Sequence, residues 1–239
     1  MAKSLLACLL LLTLPAWADD AATNAAAATT NAPPPAAPAD TSGKTIAISN
    51  DAGLASDGTP KDENNYQVRI GELTAPGGEC YIIPIHLPAI PDGQQIVKVH
   101  IRAQLMGISN ESNALANADL YGLGVRDTNK AVAGDYFQGA KDSKATLLQA
   151  GFLTPKSPVR TDANTGPFVE SSADGDAAMA KYLNDTCATP GNSGKYLFLR
   201  VSYDLDTIPT GNNAYMLLTT GATGDNEPPL ITYTLGPKK

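Results

Sequence analysis

The stretch Gln95–Met106 reads QIVKVHIRAQLM, and its period decides the fold. Val97, Val99, Ile101, Ala103 and Leu105 fall on one side of an extended chain, and Lys98, His100, Arg102 and Gln104 on the other. Successive side chains of a strand point to opposite faces, so this is a half-buried strand with one wet face. The same alternation recurs on both sides of it. Cys80–Leu87 lines up Tyr81, Ile83, Ile85 and Leu87, and Tyr196–Tyr203 sets Leu197, Leu199, Val201 and Tyr203 against Phe198, Arg200 and Ser202. Thr45–Ser49, Tyr66–Leu73, Asp119–Arg126, Ala214–Thr220 and Leu230–Leu235 are shorter runs of the same kind. Clusters such as PAIPDG (88–93) and TPGNSG (189–194) separate them, as turns require.

One segment has a helical period instead. In SSADGDAAMAKYLND (171–185), Ser172 or Asp174 can cap the start, and Met179, Ala180 and Leu183 share a face. About eight strands and one short helix over 44–239 predict an all-β fold, a jelly-roll β-sandwich.

The segments before residue 44 have a different character. MAKSLLACLLLLTLPAWA (1–18) has a basic start, a short apolar run and a small-x-small end. It is the pattern of a secretory signal peptide, too short to span a bilayer. The protein is therefore expected to be secreted or periplasmic, with no membrane insertion of the mature chain. Residues 19–43 are rich in Ala, Pro and Thr and hold no aromatic or large aliphatic side chain. Such a segment cannot bury enough apolar surface to offset its ordering entropy, and a disordered spacer is expected.

Charge and rare residues narrow the function. The 239 residues carry a formal net charge of −7. That sign argues against nucleic acid as a partner and against anionic lipid. Two histidines and three cysteines in the whole chain argue against a Cys/His zinc site. With Cys8 in the signal peptide, an oxidising compartment favours a disulfide between Cys80 and Cys187.

The order of segments resembles the secreted β-sandwich domains of the DNRLRE type, relatives of carbohydrate-binding modules. NNYQVRIGE (64–72) and YIIPIHLPAIPDGQQIVKVHIRAQL (81–105) carry the early and central part of the likeness. ADLYGLGVR (118–126), AGDYFQG (133–139) and ATLLQAGFLTP (145–155) carry the middle. AAMAKYLND, KYLFLRVSYD and NEPPLITYTL carry the close. The resemblance implies a non-catalytic extracellular domain that in some members binds glycans. The chain departs from it in having no accompanying catalytic module, and LGPKK lacks the apolar sorting helix many relatives carry.

Catalytic patterns are scarce. There is no G-x-S-x-G elbow, HExxH, P-loop or complete EF-hand loop. His86 and His100 both fall on polar strand faces. Asp119, Asp135, Glu170, Asp174 and Asp176 are the carboxylates a polysaccharide hydrolase or lyase would draw on, and that stays a minor reading. A structural calcium is the one cofactor the chain suggests, because loops 57–65, 109–119 and 161–176 are rich in Asp and Asn oxygens.

Glycan binding needs aromatic faces for sugar rings. Tyr66, Tyr136, Phe137, Phe168 and Tyr215 lie near loops or strand ends and are the candidates, with Arg69, Arg102 and Arg200 as polar partners. Tyr121 and Tyr203 are expected in the core. The favoured function is docking to extracellular or cell-surface polysaccharide. The alternative is a structural matrix or surface-layer component that contacts a surface protein.

Overall fold

Three hairpin-like pairings explain the architecture. In this computed structural model the strands β5 (Gln94–Ala103), β6 (Leu105–Asn110) and β7 (Ala118–Arg126) pair antiparallel with β12 (Leu230–Pro237), β11 (Ala214–Thr219) and β10 (Tyr196–Tyr203), respectively. A long two-stranded ribbon is thereby wound across both layers, which is the jelly-roll arrangement. The remaining strands are β1 (Lys44–Ile46), β2 (Ala52–Ala55), β3 (Gln67–Glu72), β4 (Gly78–His86), β8 (Thr146–Leu153) and β9 (Val169–Glu170). One sheet runs β1-β12-β5-β9, and the other runs β6-β11-β3-β4-β10-β7-β8 with β2 added against β4.

The structure describes residues 43–61, 67–72, 78–110, 115–136, 145–161, 166–203, 214–220 and 229–238. All fall in the unit Ala36–Lys239. The expected signal peptide (1–18) and the spacer up to residue 42 lie outside the described residues. Among the described residues no helix is long and apolar enough to cross a membrane.

The expected β-sandwich is present, with twelve strands among the described residues instead of about eight. Four strand features escaped the sequence pattern. β2, β8 and β9 are short or Gly-interrupted. The long central strand is broken at Gln104, where the chain passes from one sheet to the other. Within β5 the alternation also slips. Lys98 pairs Thr234 and Ile96 pairs Leu235, so Val97 is an extra residue. This bulge turns Ile96 inward and leaves Val97, expected in the core, 53% exposed.

Between the sheets lies the main core, which includes Ile83, Ile85, Val99, Ile101, Leu197, Leu199, Val201, Tyr203, Met216 and Ile231. Tyr203 donates its hydroxyl to the Ala214 carbonyl at 2.6 Å, which satisfies its one polar atom in a dry setting. The face of β4 and β10 turned away from this core is also covered. Leu54, Cys80, Ile82 and Phe198 form a second, small core there, closed by Leu123, Ala131, Tyr136 and Tyr196. That is why β4 is buried on both faces from Gly78 to Ile85.

The cover over the small core, residues 127–136, is fastened by charge. Arg126 holds Asp135 through a two-pronged ion pair. Its guanidinium also stacks 3.8 Å from the Phe198 ring centre. Asp135 further accepts the Val132 N–H at 2.9 Å. Arg200 was expected on a solvated face. It is wholly buried instead, donating to the Asp135 carbonyl at 3.2 Å with its guanidinium 5.0 Å from the Tyr121 ring centre.

Cys80 and Cys187 are not joined by the expected disulfide. The physical reason is placement: Cys80 sits in the small core, whereas Cys187 packs against the main core from α1 (Ala173–Ala188).

Candidate functional site

The α-helix α1 forms one wall of a concave surface. Ser172 caps α1 by accepting the Gly175 N–H at 3.1 Å, one of the donors a helix start leaves unpaired. The Gln149 side chain of β8 accepts the Ser172 N–H at 3.0 Å. It lies so close over Gly175 that a Cβ there would sit 2.0 Å from its amide oxygen. Further along, Asn184 accepts the Ile96 N–H at 2.9 Å and donates to the Ile96 carbonyl at 2.8 Å. Met179, Ala180 and Leu183 are buried beneath the helix. The helix is thus locked to β5 and β8 at three points.

A hollow of about 710 Å³ opens between the second half of α1 and strands β7 and β8. Its volume suits a small-molecule or sugar site. Tyr182 is its aromatic wall. The ring lies against Gly122, where a Cβ would come within 2.3 Å of it. Its hydroxyl accepts the Gly124 N–H at 3.1 Å, so the hydroxyl proton points to be donated elsewhere. Burial raises the Tyr182 phenol above its ordinary value, and the group stays a neutral donor. Thr146, Thr189, Asn192, Lys181 and Asp185 supply the polar rim, and Leu147, 51% exposed, an apolar lip.

The sequence candidates do not gather in this hollow. Tyr66 and Phe137 lie outside the described residues. Tyr136 is half-buried against the small core, and burial raises its phenol. Phe168 is half-buried beside β9 with the Arg102 guanidinium 4.4 Å from its ring centre. Tyr215, on β11 of the other sheet, is half-buried with Arg69 at 5.5 Å. Tyr182 is not among the residues the sequence pattern singles out. The available signal was its helical spacing from Ala178 and Asp185, four residues before it and three after it.

Among the described residues, His100, Ser171, Asp176 and Glu170 form a cluster with the ingredients of acid–base chemistry. Its wiring differs from a nucleophile–base–acid relay. Such a relay needs serine on one ring nitrogen and the carboxylate on the other. Here Nδ1 faces both Asp176 at 3.2 Å and Ser171 at 3.3 Å, and Nε2 faces Glu170 at 3.7 Å. Ser171 donates to Asp176 and accepts the Ile101 N–H at 2.9 Å. These bonds tie the start of α1 to β5. Asp119 is similarly engaged. It accepts the Gly151 N–H at 2.7 Å and the Tyr121 hydroxyl at 3.1 Å. Asp174 is exposed in the first helical turn, where negative charge favours the helix. His86 is exposed and packs edge-on to Tyr196 at 5.4 Å.

Of the expected calcium loops, residues 62–65, 111–114 and 162–165 lie outside the described residues. Among the described residues no group of three or more His, Cys, Asp or Glu is placed to hold a metal. Asp57 instead accepts the Thr59 N–H at 2.8 Å, and this bond lowers its carboxyl pKa. In comparison with known proteins, no family model and no curated sequence matches the chain.

Proposed function

We propose that this is a secreted, non-catalytic domain of the carbohydrate-binding kind, which docks to extracellular or cell-surface polysaccharide through the hollow beside Tyr182. The observation that carries the reading is the lining of that hollow. A pinned aromatic ring with a donating hydroxyl stands among threonine, asparagine, lysine and aspartate side chains. Sugar recognition combines an apolar ring face with a few oriented polar groups. The likeness of the sequence segments to DNRLRE-type domains points the same way. The signal-peptide pattern of residues 1–18 supports work outside the cytoplasm. The inward engagement of Ser171, Asp176, Asp119 and Asp135 favours binding over hydrolysis.

The test is retardation of the purified chain in gels containing neutral or acidic polysaccharides, with calcium and with chelator. At least one class should retard it. Lys181→Ala, Thr189→Ala and Tyr182→Leu should each weaken that retardation while the fold is retained. No retardation on any gel, or retardation lost in Tyr215→Ala but kept in these variants, overturns the assignment of the site. A contact with a surface protein is the second reading, favoured by the exposed Leu147 on the edge strand β8. It would appear as concentration-dependent assembly that Leu147→Lys abolishes.

A further inference from the structure

A second hollow, of about 490 Å³, lies on the other flank of the same helix, between its last turns and the Pro91–Gln95 turn. Cys187, Asn184, Gln94, Asp92 and Lys238 line it. Asp185 lines both hollows. The two therefore adjoin across the outer face of α1, where Lys181, Asp185 and Ala188 are exposed. Gln94, one of the lining residues, also carries an unsatisfied polar atom. The Gln94 Oε1 atom is buried and has no hydrogen-bond partner among the described residues. A buried acceptor left in this state calls for a donor, because the loss of its water is otherwise uncompensated.

Resting on the reading above, we infer that the two hollows are subsites for one linear neutral oligosaccharide that crosses α1 over Asp185. Three features of the surface select this ligand class. A helix with its side chains is about 10 Å wide, so an occupant of both hollows must be longer than one sugar ring. Carboxylates and ammonium groups face the path in mixture, Asp92 and Asp185 against Lys181 and Lys238, which favours an uncharged chain over a strongly acidic one. Hydroxyl groups of a sugar can donate to the Asp92 and Asp185 carboxylates and accept from Lys238 and Tyr182.

Cys187 gives a built-in reporter. It is partly buried, its Sγ lies 3.7 Å from the Pro88 carbonyl, and burial raises its thiol pKa. Cys80 is wholly buried. The experiment titrates the purified chain with cello-, xylo- and laminari-oligosaccharides of one to about six units. Alkylation of Cys187 by iodoacetamide at mildly alkaline pH is followed by peptide mapping. The expected result is an affinity that rises by about tenfold or more between the shortest and longest members of the series that binds. Only the long members should slow Cys187 alkylation, and Gln94→Met should reduce their affinity to that of the short ones. Binding that is independent of length, or long chains that leave Cys187 alkylation unchanged, overturns the second subsite while the Tyr182 hollow stands. If no oligosaccharide or polysaccharide binds, the glycan reading itself falls, and the second subsite with it.

Discussion

The main core and the small core are both dry, yet they are closed by different means. The main core lies between two sheets and is sealed by apolar side chains from nearly every strand, with Tyr203 internally satisfied. The small core has four buried members, too few to seal themselves. Its cover is held by Arg126 and Asp135, with Asp135 nearly out of water. Apolar burial scales with area and needs no geometry. An ion pair in a dry place stabilises only with both partners present. The outer layer should therefore fail locally and abruptly, and the inner one globally.

The contrast can be broken most forcefully from inside. Leu199→Ala leaves a cavity between the sheets and should cost about 4 kcal/mol of global stability, measured by denaturant unfolding. Next comes the cover. Arg126→Met strands the Asp135 carboxylate and should cost about 3 kcal/mol, whereas Arg126→Met with Asp135→Leu should recover most of the loss. A thiol reagent supplies the local readout. Cys80 should stay unreactive in the native chain and become reactive in Arg126→Met, with the main core still folded.

A third comparison uses pH. Glu79 is buried on β4 beneath Gly53, and desolvation raises its pKa from 4.5 to about 7. The Arg69 N–H and the charges of Lys61 and Arg69 oppose that rise. The folded protein thus holds a proton that the unfolded chain releases. The associated stability is fully present below about pH 4.5, declines as pH rises toward 7, and is gone above it. Relative to Glu79→Gln, the natural chain should lose on the order of 2–3 kcal/mol across that window, read from parallel unfolding curves. The smallest effect is expected at Val97. Because the bulge turns it outward, Val97→Thr should change stability by no more than about 0.5 kcal/mol, against the core loss its alternation implies.

How much was legible follows from these cases. Strands with one wet face were read correctly, because a two-residue period records burial on one side. β10 and helix α1 match their expected spans closely, and Ser172 is the cap. What escaped was burial on the second face. Nothing in the alternation of Phe198 and Arg200 announces that residues 127–136 return to cover them. The bulge at Val97 escaped for a related reason: it depends on the register of β12, which is far away in sequence. The candidate site was missed because loop aromatics were favoured over an aromatic on a helix. Tyr182 faces a hollow only because Gly122, about sixty residues earlier, leaves room for its ring.

The place of β12 has a kinetic consequence. It lies between β1 and β5, so the four-stranded sheet has no middle until the last strand arrives. Lys44 is opposite Tyr233, and Gln94 is opposite Pro237. Contacts this distant in sequence close slowly. The four-stranded sheet must therefore remain open until residues 230–237 are available, and a truncation that removes β12 should abort folding instead of trimming a finished domain.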